Sequence, residues 1–129
     1  MSITSRSLRK LGDLNIEITE CGTGVPLVFL HAGEGLAFCE PLFAKLAKVC
    51  RVIAPSHPGF GHTDLPPTFR AIDDLAYFYL DLFDTLQLRD AVLVGTSFGG
   101  WIAAEIAIRS TAHLSRLVLA DAVGIRVSQ

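Results

Sequence analysis

The chain has 129 residues, of which 50% are hydrophobic and 19% charged, with a formal net charge of -2 and a mean hydropathy of +0.45. Such a composition excludes intrinsic disorder, offers nucleic acid no basic footprint, and contains no uncharged run near the ~20 apolar residues of a membrane span. It is also too apolar for a free-standing domain of this length, because small domains have proportionally more surface to cover with polar groups.

The basic residues of Met1–Lys10 are followed by no apolar run, so no signal peptide is expected. Leu8–Leu11 and Asn15–Glu20 read as two strands joined at Gly12-Asp13, a hairpin signal. Pro26–Ala32 (PLVFLHA) is continuously apolar, as in a strand buried on both faces. Pro41 suits a helix first turn and opens a stripe of Leu42, Phe43, Leu46 and Val49. Arg51–Pro55 is a further short strand, and 56–68, with Pro58, Pro66, Pro67 and two glycines, is a loop.

Asp73 or Asp74 can cap the next helix, whose buried stripe is Leu75, Phe78, Leu82, Phe83 and Leu86. Ala91–Gly95 is strand, Phe98–Arg109 helix with Trp101, Ala104 and Ile108 on one side, and Leu117–Ala120 the last strand. Strands alternating with helices predict an α/β domain, a predominantly parallel sheet with helices on both faces. Right-handed crossovers are expected to place those helices alternately. Three widely spaced cysteines, Cys21, Cys39 and Cys50, form neither a disulfide framework nor a zinc site. The expected location is therefore the reducing cytoplasm.

Gly95-Thr96-Ser97-Phe98-Gly99 matches G-x-S-x-G between a predicted strand and a predicted helix. Composition alone would produce that pattern roughly 0.06 times in such a chain. The turn strains the serine and projects its hydroxyl, while glycines on either side avoid Cβ collisions. The helix that starts there aims N–H groups at developing negative charge. A phosphate-binding loop is the rival, but the segment has neither the P-loop lysine nor G-x-G-x-x-G spacing.

Leu30-His31-Ala32-Gly33-Glu34-Gly35 follows the buried strand, and the backbone N–H groups of Gly33 and Phe98 can form an oxyanion hole. His31 invites a general-base role. Its place in a tight turn favours an imidazole satisfied by local backbone. His57 and His62 suggest a metal, but no carboxylate or cysteine stands at ligand spacing. No motif calls for a metal or a cofactor.

In this order and at these intervals the motifs resemble the α/β-hydrolase fold superfamily. His31-Ala32-Gly33 resembles its H-G-x oxyanion turn, with Ala32 where glycine is usual. Pro58–Asp64 resembles its P-G-F-G-x-S-D loop, with Thr63 for serine. The resemblance implies Ser97 as nucleophile, Gly33 and Phe98 as oxyanion donors, and a strand order of first, second, fourth, third, fifth, sixth with the first two antiparallel. The nearest flavour is the esterase and carbon–carbon bond hydrolase branch.

A catalytic triad in this family runs serine, acid, histidine. Beyond Ser97 stands one histidine, His113, before the last strand and at the wrong end of the sheet for a base. Asp121, after that strand, sits where some members carry the acid; aspartate also favours such turns for local hydrogen bonds. The expectation is thus one incomplete hydrolase domain over 1–129, lacking a lid, the seventh and eighth strands and the catalytic histidine. It would act on a small-molecule acyl substrate, a small ester or related acyl or carbon–carbon compound, and be inactive as this chain alone. The alternative is a non-catalytic module, a ligand receptor or a half that assembles with another chain. Its last strand, as an exposed edge, would invite self-association.

Overall fold

The computed structural model describes residues 4–124; of the basic N-terminal stretch, positions 1–3 lie outside the described residues. The elements are β1 (Ser5–Leu11), β2 (Leu14–Cys21), β3 (Pro26–Leu30), α1 (Glu40–Leu46), β4 (Arg51–Pro55), α2 (Ile72–Thr85), β5 (Ala91–Thr96), α3 (Phe98–Arg109) and β6 (Leu114–Ala120). They form a 6-stranded sheet in the order β1-β2-β4-β3-β5-β6. β1–β2 and β2–β4 are antiparallel, and the remaining pairs are parallel. Both the fold class and the strand order match the sequence-based expectation.

Strand alternation divides the core. Val28 and Leu30 of β3, Ile53 of β4 and Leu93 of β5 face one side, where Phe78, Tyr79, Leu82 and Phe83 of α2 and Ile102 and Ile106 of α3 cover them. Leu27, Phe29, Val52 and Ala54 face the other, against Phe43 of α1. The helices therefore do not alternate as expected: α1 lies on one face, α2 and α3 together on the other. The reason is direction. From β3 to β4 the chain steps toward β2; from β4 to β5 and on to β6 it steps the opposite way. With the crossover hand fixed, reversing the step swaps the face.

The α1 stripe is also shorter than its periodicity suggested. The helix ends at Leu46, and Cys50 donates its N–H back to the Leu46 carbonyl, closing a tight turn. Phe43 is buried, whereas Leu42 and Val49 are exposed. At the start of α2, the Asp74 carboxylate accepts the Arg70 and Ala71 N–H groups at 2.8 and 3.0 Å, which lowers its pKa. The exposed Ile108 places the Trp101–Ala104–Ile108 side of α3 outward; its buried face is Gly99, Ile102, Ala103 and Ile106. No helix among the described residues is long and apolar enough to cross a membrane.

Candidate active site

β3 and β5 lie side by side, with Leu30 paired to Gly95, so the turns at their carboxyl ends meet. The sheet order reverses here, and an α/β sheet opens its ligand crevice at such a point. Ser97 leaves β5 at φ 51°, ψ -115°, a left-handed conformation that is costly for a residue with a side chain. What over-determines it is on both sides. Its N–H donates to the Ala120 carbonyl (3.0 Å), continuing the β5–β6 ladder. Its carbonyl accepts from Gly100 (3.0 Å), Trp101 (3.2 Å) and Val123 (3.2 Å).

Two glycines make the turn sterically open. A Cβ on Gly95 would strike the Gly99 carbonyl and lie 2.7 Å from Gly100 Cα. A Cβ on Gly99 would strike the Leu30 carbonyl oxygen and come within 2.6 Å of that of His31. The start of α3 thus rides directly on the end of β3. Phe98 is the first residue of α3, so its N–H has no intrahelical acceptor. Gly33 sits opposite in a turn closed by Gly35 N–H on the Ala32 carbonyl (3.0 Å). A Cβ there would meet nothing within 4 Å, so the turn faces open space.

Under this turn lies an arrangement that sequence reasoning missed. His31 and His57 are both fully buried, their ring centroids 3.7 Å apart. His57 donates its backbone N–H to His31 Nε2 (2.9 Å) and its Nε2–H to the His31 carbonyl (2.7 Å). His31 Nδ1–H donates to the Ala32 carbonyl (2.7 Å). The Tyr79 hydroxyl donates to His57 Nδ1. These partners assign each neutral tautomer. Burial lowers the His31 pKa, and burial with His31 alongside pushes His57 down to about 3. Burial pushes the Tyr79 hydroxyl well above its usual pKa. Local backbone does satisfy His31, as its turn position suggested. The contact to His57 spans 26 residues and left no periodic trace.

The other histidines lie elsewhere. His113 bonds the Leu88 carbonyl (3.0 Å) and Asp84 (2.8 Å) at the amino end of β6, and exposed His62 stands 3.9 Å from Glu17. Among the described residues no histidine ring is hydrogen-bonded to Ser97, and no group of three or more metal-ligating side chains is assembled. Asp121 follows β6 at the Ser97 end, exposed and at φ 50°. Aspartate tolerates that left-handed backbone better than most residues.

Beside the elbow opens a cleft of about 290 Å³ whose apolar walls include Phe60, Leu65, Phe69, Leu75, Phe98 and Trp101. A larger groove of about 590 Å³, between the β1–β2 hairpin and α2, shares no wall with the elbow or the β3 turn.

A family model described as alpha/beta hydrolase fold matches residues 25–128. The chain belongs to the alpha/beta hydrolase fold family. It is 35% identical over 117 residues to a 2-hydroxymuconate semialdehyde hydrolase of Pseudomonas sp. (strain CF600), covering 87% of this chain and 41% of that protein. It is 34% identical over 119 residues to a 2-hydroxy-6-oxo-2,4-heptadienoate hydrolase of Pseudomonas putida, covering 88% and 43%. The structure of a meta-cleavage product hydrolase superposes with a TM-score of 0.83 at 31% identity, over 95% of this chain and 47% of that one. An esterase from Exiguobacterium antarcticum gives 0.79 at 27%, over 86% and 42%. This alpha/beta hydrolase chain therefore spans about two fifths of the length of the curated relatives it matches.

Proposed function

We propose that the chain carries the nucleophile and oxyanion half of a serine hydrolase acting on a small ester or a related acyl or carbon–carbon substrate. The observation that carries this is Ser97 at φ 51° between β5 and the first turn of α3. Its hydroxyl oxygen would attack a carbonyl carbon, and the Gly33 and Phe98 N–H groups would receive the oxyanion. The apolar cleft beside it suits a hydrophobic acyl or leaving group. The carbon–carbon and ester hydrolases among the similar proteins favour those substrate classes.

A serine hydroxyl needs a base, and each histidine of this chain is engaged elsewhere or held apart from Ser97. On this reading the chain supplies the nucleophile and oxyanion donors, and the proton acceptor is not among its described histidines. Turnover of a p-nitrophenyl ester by the chain alone is expected at the level of Ser97→Ala; a rate above that control overturns the half-site reading. Slow single-turnover phosphonylation by excess fluorophosphonate is expected on Ser97, mapped by peptide mass spectrometry. The oxyanion donors retain part of the rate when a triad is broken. No labelling, or labelling spread over other serines, overturns the nucleophile assignment. Asp121 as acid is tested in the completed enzyme: Asp121→Asn lowers kcat if it orients the base and leaves it unchanged if it only forms the turn.

A second reading rests on β6. It is an edge strand with Leu117, Val118 and Leu119 exposed, which favours assembly with another chain or a second copy. Sedimentation is expected to show species heavier than 13.9 kDa. A clean folded monomer counts against it. Three free cysteines fit a cytoplasmic setting.

A further inference from the structure

We propose that His57 is the positioning residue of the oxyanion site: through His31 it sets where the Gly33 N–H stands relative to the Phe98 N–H. The proposal rests on the hydrolase reading of Ser97 and adds a residue to that site.

The hydrogen bonds form one chain. Tyr79 of α2 holds His57 Nδ1. His57 holds the turn after β3 at two points: its backbone N–H donates to His31 Nε2 at 2.9 Å and its ring Nε2–H to the His31 carbonyl at 2.7 Å. His31 passes the constraint to the Ala32 carbonyl at 2.7 Å, and that same oxygen closes the turn through Gly35 at 3.0 Å. On its other side the His57 ring meets the Phe98 ring edge-on, centroids 5.7 Å apart at 87°. One imidazole therefore touches both segments that carry the donors. Only the neutral Nε2–H tautomer serves, because Nε2 must donate to a carbonyl while Nδ1 accepts from a hydroxyl.

The groups facing the pair are Tyr79 from α2, Phe60 from the loop after β4, Phe98 from α3 and the backbone of the β3 turn; Glu34 in that turn is the charge that acts on His31. Among the described residues no carboxylate, lysine or arginine is buried beside this neutral network. An oxyanion hole tolerates little displacement, and an error of about 1 Å in placement costs up to about 100-fold in rate. A leucine at position 57 would fill the space and keep the backbone N–H on the His31 ring, but lose the ring's bonds to the His31 carbonyl and the Tyr79 hydroxyl. A glutamine would restore a side-chain donor toward the His31 carbonyl.

The test uses the full chain in three forms, wild type, His57→Leu and His57→Gln, with Tyr79→Phe as the milder fourth. The backbone amide resonances of Gly33 and Phe98 are read by nitrogen–proton NMR, and Ser97 phosphonylation by fluorophosphonate mass spectrometry. In His57→Leu the Gly33 and Phe98 amides shift while those of β1 and α1 stay, and labelling slows about tenfold or more. His57→Gln returns both toward wild type. Tyr79→Phe shifts the same amides in the same direction, by less. If His57→Leu does not fold, Tyr79→Phe and His57→Gln decide. Unmoved Gly33 and Phe98 amides in His57→Leu, or in Tyr79→Phe where His57→Leu does not fold, or shifts spread evenly over the domain, overturn the positioning role. Failure of wild-type Ser97 to label overturns the hydrolase reading alone, since the amide result stands without it.

Discussion

β5 has two neighbours, and the sheet is packed and paired on one side and exposed on the other. On the β3 side the polar atoms at the strand end are paired: His31, His57 and Tyr79 are buried and hydrogen-bonded, and the start of α3 presses on the Leu30 carbonyl. On the β6 side the strand shows Leu117, Val118 and Leu119 to solvent and is followed by the exposed Asp121. The opposite edge strand, β1, is as exposed as β6 but carries Arg6, Arg9 and Lys10, the charges that guard a natural edge. β6 has the apolar sequence of an inner strand. The difference teaches that the two turns proposed as oxyanion donors rest on a buried, fully paired network, whereas the strand leading to Asp121 is an exposed apolar edge.

The severest way to break this contrast is at the seam between elbow and β3. Gly99→Ala places a Cβ against two backbone carbonyls that cannot yield, and is expected to cost about 4 kcal/mol or more. Urea unfolding measures it, and a wild-type midpoint would show the seam is loose. Acid comes next. The folded-state pKa of His57, about 3, lies below its unfolded value, so the unfolded chain binds the extra proton. Stability is full above about pH 6.5 and falls as pH drops toward 3, by about 1.4 kcal/mol per unit for this group. A pH series of melts should lose that slope in His57→Gln. Tyr79→Phe leaves one buried acceptor without its donor and is expected to cost about 1 to 2 kcal/mol by urea unfolding. The open side should respond least. Leu119→Lys, at an exposed position, should change monomer stability by under about 0.5 kcal/mol. It should shift sedimentation toward monomer, and an unchanged assembly would move the contact elsewhere.

What could be read in advance follows from the range of each interaction. Gly95, Ser97 and Gly99 are legible because the turn they build is local, and β3 and β5 because burial on both faces demands continuous apolar runs. The strand order came through the resemblance of the motifs. Val49 misled because a helical period persisted past the point where Cys50 closes the α1 turn. The His31–His57–Tyr79 network escaped because its partners lie 26 and 22 residues apart, joined only when β3, β4 and α2 pack. Fully buried histidines in a turn and a proline-rich loop were the available hint. Composition signalled polarity where the fold uses it as interior.

The Ser97 carbonyl, which gathers the N–H groups of Gly100, Trp101 and Val123, makes the segment after β6 a leash on the nucleophile. Ala122 lies against Gly100 and Gly124 against the Trp101 ring, so this leash is laid over the first turn of α3. Proton exchange at Val123 would then tell, amide by amide, when the elbow itself comes undone.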